Sequence, residues 1–133
     1  MQIEVQITHN AIAPATDCKG QTASGAVVEF TGVVRDMEDG RRIAALEYEA
    51  YESMALSEMR RLLEELGRQY PCHLVRVIHR VGVIRAGEAA IYIQARATHR
   101  QEAFGLVTGF LDVLKKDVPI WKRRALEELP VKS

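Results

Sequence analysis

Five of the 18 Lys and Arg residues fall within ten positions, as Lys115, Lys116, Lys122, Arg123 and Arg124. They flank the apolar run Pro119-Ile120-Trp121. Surface lysines are ordinarily dispersed among acids on a solvated face. Here an apolar anchor holds them, an arrangement suited to gripping an anion and acting on it chemically. Lys115 neighbours the apolar stripe of Leu111 and Leu114, so it is expected at the edge of a pocket. A lysine near apolar walls and other cations loses its proton more readily and can serve as acid, base or nucleophile. Lys122 would project from a backbone fixed by Ile120 and Trp121. The plainer alternatives are an ordinary solvated Lys122 and helix-end cations that complement the dipole. That alternative accounts for Lys116, which can pair with Asp112 at i, i+4.

Two further groups could bind anions. Thr98-His99-Arg100-Gln101 reads as a capping box, with Thr98 as N-cap and Gln101 three residues on. His99 and Arg100 then fall in the first helical turn, where the dipole favours acids. Their presence there makes sense if a phosphate or carboxylate docks at the helix start; otherwise Arg100 pairs with a surface acid such as Glu102. Arg35 ends the strand Phe30-Thr31-Gly32-Val33-Val34-Arg35. Gly32 permits close approach of a ligand or backbone, and an arginine there suits bidentate phosphate recognition; a surface strand-end arginine is the alternative. Arg100 and Lys115 lie 15 residues apart on one helix, roughly 22 Å at 1.5 Å per residue. They cannot both grip one small ligand within one chain. Either they serve separate sites, or a second subunit of a symmetric dimer completes each site.

Composition narrows the classes. The chain has 133 residues, 47% hydrophobic and 27% charged, which fits one globular domain spanning 1–133. Lys plus Arg balance Asp plus Glu at 18 each, so the broad basic face of a nucleic-acid binder is not expected. No apolar run approaches the ~18–20 residues of a membrane helix, and the N-terminus lacks a basic and apolar leader, which reads as cytoplasmic. Cys18 and Cys72 form no CxxC, which argues against a zinc knuckle or a redox pair and for reduced thiols. The four histidines form no metal pattern. His79 shares a strand face with Val75, Val77 and Val81 and reads as a packing residue.

The elements that must position these residues follow from periodicity. Strands are predicted over 2–8, 26–35, 42–50, 73–81 and 88–98. Val28, Phe30, Gly32 and Val34 share one face of the second strand, and Asp39-Gly40 signals a turn after it. One helix is predicted over 53–69, with Ala55, Met59, Leu62, Leu63 and Leu66 as its buried stripe. Another over 99–116 buries Ala103, Val107, Phe110, Leu111 and Leu114 and ends at Pro119. Residues 9–24 read as a loop and 82–87 as a connection. The tail over 120–128 is a candidate edge strand. This order gives an α+β fold with a mixed or antiparallel sheet and two main helices, with no Walker or dinucleotide loop.

Taken together, these stretches resemble the MoaE family, the large catalytic subunit of molybdopterin synthase. The resemblance rests on Gly25–Arg35, Leu46-Glu47-Tyr48-Glu49-Ala50-Tyr51 with Met54-Ala55, His79-Arg80-Val81-Gly82, Gly87-Glu88, Thr98-His99-Arg100 with Ala103-Phe104, and Lys115 with Pro119-Ile120-Trp121-Lys122. Each stretch is weak alone, but the ordered set across 25–124 is highly specific. It implies an α/β-hammerhead fold and a homodimer, assembled as a heterotetramer with a small ubiquitin-like sulfur carrier whose C-terminal Gly-Gly bears a thiocarboxylate. The implied reaction transfers two sulfurs to cyclic pyranopterin monophosphate to form the dithiolene of molybdopterin, with no resident cofactor or metal. It implies Lys115 and Lys122 as catalytic lysines. Arg35 and Arg123 would bind substrate, as would His99 and Arg100 of the neighbouring subunit. The lack of a plausible catalytic cysteine agrees, since the sulfur would arrive on the carrier. Three departures stand out: Arg123-Arg124 where relatives often have Lys or Arg followed by Glu, leaving that acid's role to Glu127 or Glu128; a short tail; and Val33 where many relatives carry a basic residue. The competing reading is a non-enzymatic α+β module that binds an anionic metabolite.

Overall fold

The computed structural model describes residues 1–13 and 22–130. Alternating apolar residues build a four-stranded sheet from β1 (Gln2–Thr8), β2 (Ala26–Val33), β6 (Leu74–Arg80) and β8 (Ala89–Ala97), in the order β1-β6-β8-β2. β1 runs parallel to β6, and the other pairs are antiparallel. Both helices cover one face of this sheet: α1 (Glu52–Gln69) packs over β1, and α2 (Arg100–Asp117) over β8 and β2. Of the helical stripes predicted from spacing, Ala55, Met59, Leu62 and Leu63 on α1 and Ala103, Val107, Phe110 and Leu114 on α2 are buried, Leu66 and Leu111 are half-buried, and the buried Leu106 was not among those predicted. They meet Val75, Val77, Ile91, Ile93, Ala95 and Ala97 in one apolar core. The α+β architecture expected from the element order is the one observed.

A second, smaller sheet sits beside the first. Its order is β7-β5-β9, with β5 (Ala45–Ala50) between β7 (Gly82–Arg85) and β9 (Ile120–Leu126), all antiparallel. The segment read as a connection over 82–87 thus begins with a strand, too short at four residues to show alternation. The tail does form an edge strand. A small core of Val34, Ile43, Leu46, Ile84 and Ala90 lies between the sheets. Between β2 and β5 the chain makes a hairpin, β3 (Met37–Glu38) with β4 (Arg41–Arg42). Its two-residue turn has positive φ at both Asp39 (49°) and Gly40 (77°). That is the pattern of a type I′ turn, which Asp-Gly adopts with least strain.

Three local expectations shift. β2 ends at Val33, because its register with β8 slips between Gly32 and Val33. Val34 therefore leaves the Phe30 face and enters the small core, and Arg35 emerges beyond the sheet end. The α2 cap is His99, in extended conformation and without a side-chain cap bond. The Thr98 hydroxyl is taken instead by His73, at 3.2 Å from Nε2, so the capping box does not form. No Asp112–Lys116 ion pair is present among the described residues. Both groups are exposed, where fixing two side chains gains little.

His79 is buried, as its strand position suggested. Its Nδ1–H donates to the Arg80 carbonyl at 2.8 Å, and its ring meets Tyr48 edge-on at 5.4 Å. Burial lowers its pKa, and the backbone bond only partly opposes this. The unfolded chain binds a proton near pH 6.5 that the folded chain refuses, so this residue's contribution to stability falls as pH drops from about 6.5 toward the folded pKa. In urea titrations, a His79→Gln variant should lose less stability than the parent across that window, with a slope difference of up to ~1.4 kcal/mol per pH unit. Parallel profiles would contradict the buried neutral imidazole. Phe110, fully buried between α2 and the sheet, should cost about 3–5 kcal/mol when replaced by Ala. A loss under 1 kcal/mol in the same titration would contradict its core placement.

Candidate active-site cleft

The two sheets and the C-terminal half of α2 leave a cleft of about 870 Å³ between them. The end of β2 supplies one wall with Phe30, Gly32 and Val33, continued by Arg35. α2 supplies Leu111, Leu114 and Lys115, and β9 supplies Ile120, Trp121 and Lys122. Tyr48 of β5 and His79 of β6 line its deeper part, and Glu38 reaches in from the β3–β4 hairpin. The volume falls in the range of small-molecule sites, and three cations converge on walls that are otherwise largely apolar.

Local backbone features deliver the two lysines. α2 ends at Asp117, and the buried Val118 turns the chain, its N–H donating to the Leu114 carbonyl at 3.2 Å. The Pro119 carbonyl accepts from the Tyr51 N–H at 3.1 Å, which ties the turn to the end of β5. Lys115 therefore leaves the last turn of the helix while Lys122 leaves the third residue of the strand, both toward the cleft. Lys122 pairs with Tyr48 across the β5–β9 ladder, which sets both side chains on one face. Trp121 anchors the strand against Tyr51, ring centroids 5.1 Å apart. Burial raises the Tyr48 phenol above its ordinary value; the Lys122 charge lowers it and Glu38 raises it to a smaller extent.

The remaining cations of the cluster are disposed differently. The β5–β9 register shifts between Glu47 and Tyr48, so Lys122 stands opposite Tyr48, Arg124 stands opposite Glu47, and Arg123 is the extra residue between them. Arg123 bonds Glu49 at 3.0 Å, and Arg124 bonds Glu47 at 2.7 Å. Neither lines the cleft. Lys122 bonds both oxygens of Glu38, at 3.2 and 3.3 Å. The acid sought at Glu127 or Glu128 is not in the cleft either; Glu127 lies 3.8 Å from Arg41. Lys115 is exposed at the cleft rim, so its apolar enclosure is one-sided. Lys115, Arg35, His99 and Arg100 form no ion pair among the described residues.

His99 and Arg100 lie at the far end of α2, beside the start of β2. Ala26 pairs with Ala97 there, and a Cβ on Gly25 would meet the Thr98 carbonyl oxygen at 2.5 Å. Arg35 lies just past the other end of the same eight-residue strand, about 25 Å away at 3.3 Å per residue. Within one chain the cleft gathers Arg35, Lys115 and Lys122 and leaves out His99, Arg100 and Arg123. Sequence reading did not single out Glu38 or Tyr48. The Asp39-Gly40 turn directly after Glu38 was the available signal, since it folds that residue back toward β5. Cys72 is buried, and burial, with a smaller effect of Glu102, pushes its thiol up to about 11. Cys18 lies outside the described residues.

No helix among the described residues is long and apolar enough to cross a membrane. The family model described as MoaE protein matches residues 3–117. The molybdopterin synthase catalytic subunit of Pyrococcus abyssi is 39% identical over 107 residues, covering 80% of this chain and 72% of the relative. Molybdopterin synthase from Staphylococcus aureus superposes with a TM-score of 0.79 at 30% identity, over 96% of this chain and 93% of that one. A complex of subunits 1 and 2 of molybdopterin-converting factor from Helicobacter pylori shares the fold, with a TM-score of 0.71 at 20% identity, covering 92% and 88%. With an α+β fold that superposes on a solved molybdopterin synthase and a family match across most of its length, this chain belongs to the MoaE family.

Proposed function

We propose that this chain is the catalytic subunit of a molybdopterin synthase, a sulfurtransferase. It would move sulfur from the thiocarboxylated C-terminus of a small carrier subunit to cyclic pyranopterin monophosphate, forming the molybdopterin dithiolene. The observation that carries the reading is the convergence of Arg35, Lys115 and Lys122, from three separate elements, on one cleft in a MoaE-family chain. A Gly-Gly tail has no side chains to clash with a cleft walled by Phe30, Trp121 and Leu114. Its terminal anion and the substrate phosphate would both meet cations there. The solved assembly of the two converting-factor subunits from Helicobacter pylori is the precedent for a partner subunit.

In this reading Lys115 is the principal acid and base and contacts the thiocarboxylate. Lys122 stabilises the negative charge that develops as the cyclic phosphate opens, which preorganised cations do well. Arg35 holds the phosphate. Arg123, bound to Glu49 on the other side of the bulge, lies outside the cleft lining in this conformation. A Cys72 thiol held protonated by burial is a poor nucleophile, in keeping with sulfur that arrives on the carrier.

His99 and Arg100 would come from a second copy. β2 is an edge strand of the larger sheet. Antiparallel approach of two such strands about a two-fold axis sets the start of one beside the end of the other. His99 and Arg100 of one protomer would then reach the Arg35 end of its mate, a gap of about 25 Å that one chain cannot bridge.

With thiocarboxylated carrier and pterin substrate, Lys115→Ala should reduce sulfur transfer by about 100-fold or more. A rate near the parent's would refute the assignment of Lys115. No transfer by the parent chain with its cognate carrier would instead favour a non-enzymatic anion-binding module. The shared site makes a separate prediction. Mixing Arg100→Ala and Lys115→Ala chains should restore about a quarter of the parent activity, because random pairing gives half heterodimers with one intact site of two. No recovery, with heterodimers verified by native mass spectrometry, would refute the sharing.

A further inference from the structure

The cleft contains an acid that the proposed reaction does not use. Glu38 places both carboxylate oxygens on the Lys122 ammonium, at 3.2 and 3.3 Å. Its side chain is 23% exposed and that of Lys122 48%, so the pair sits at the partly open mouth of the cleft. The position is built. Glu38 closes the strand before the Asp39-Gly40 turn and pairs with Arg41 across the hairpin, whose base is held by the Ile43 N–H bonding the Asp36 carbonyl at 2.9 Å; the Asp36–Arg42 and Arg41–Glu127 ion pairs beside it are exposed. Every other cation of β9 is neutralised on the far side, Arg123 by Glu49 and Arg124 by Glu47. Lys122 is the one β9 cation facing the cleft among the described residues, and a carboxylate of the same chain occupies it.

We propose that Glu38 is a built-in counter-ion that occupies the anion subsite on Lys122, and that the anionic group of the substrate must displace it to bind. Resting on the function proposed above, this makes Glu38 a positioning and specificity residue. It holds the Lys122 ammonium aimed into the cleft when no ligand is present. It also sets a threshold that a strong anion such as a phosphate passes and a weaker ligand does not. The exchange swaps one anion for another at the same ammonium, so no covalent step and no co-reactant is involved. Asp112, the other acid along the cleft, forms no ion pair among the described residues and leaves the threshold to Glu38.

The test uses the full-length protein and inorganic phosphate as the probe, titrated by amide chemical-shift perturbation. Glu38→Gln keeps the shape and removes the charge. It should tighten phosphate binding by about two- to fivefold, the range set by one partly exposed ion pair. In a Lys122→Ala background the same change should have no effect, because the competition needs the ammonium. Glu38→Asp, which keeps the charge, should return affinity toward the parent value. Thermal melts confirm that each variant folds. Unchanged or weaker phosphate binding in Glu38→Gln would overturn the proposal. So would an equal gain without Lys122, or no measurable binding to the parent or to Glu38→Gln. Because the titration needs neither carrier nor pterin, its outcome is independent of whether sulfur transfer is observed. If it is, Glu38→Gln should lower KM for the pterin more than it alters kcat, and a change confined to kcat would also overturn the proposal.

Discussion

The backbone pairing of β9 with β5 is the constraint on which the cleft depends. Alone, the segment after α2 would be a tail with three cations and a tryptophan. Pairing from Ile120 opposite Ala50 through Leu126 opposite Ala45 turns it into a wall. The turn through Val118 and Pro119 then holds that wall a fixed distance from the last turn of α2. Two lysines seven positions apart in sequence come to face one space because a helix ends and a strand begins between them. A continued helix would set residues seven apart two turns, about 10.5 Å, from each other along one side, with no pocket between them. Losing the ladder would lose the site even if every side chain were retained.

The bulge in that ladder sorts the charges. A regular strand would put Lys122 and Arg124 on one face, and both cations would then crowd the cleft. The extra residue lets Lys122 keep the Tyr48 face while Arg123 and Arg124 turn to Glu49 and Glu47. The formal neutrality of the chain hides this division, in which acids neutralise the two β9 arginines outside the cleft and Glu38 answers Lys122 within it.

What sequence made legible was whatever repeats with a period. Both helices, their buried stripes and the long strands β6 and β8 were readable because alternation and helical spacing persist over enough residues to stand out. β7 was missed because four residues carry no period. The helix cap moved from Thr98 to His99 because a distant histidine, His73, claimed the threonine hydroxyl, a tertiary contact that local spacing does not encode. In the cleft, Lys115 and Arg35 were legible from residue type and their place at element ends, and Lys122 from the apolar Ile120 and Trp121 that fix its backbone. Arg123 was grouped with Lys122 because adjacency cannot reveal a bulge. Glu38 went unseen because its role comes from a hairpin that folds it across 84 positions of chain onto Lys122. That His99 and Arg100 stand apart from the lysines was already implied by the rise of a helix. The described structure agrees, placing them at opposite ends of α2 and of β2.

The central claim is that sulfur passes from a carrier's terminus to the pterin at this cleft without resting on the protein. It is tested most directly by following the atom. A carrier bearing a sulfur-34 thiocarboxylate, incubated with this chain and the cyclic pterin, should yield a dithiolene carrying the heavy isotope. Mass spectra of the intact chain sampled during turnover should show no sulfur added at Cys72 or Cys18. A product free of the label, or a thioester joining the carrier to either cysteine with labelled hydrosulfide released at the rate of turnover, would contradict it.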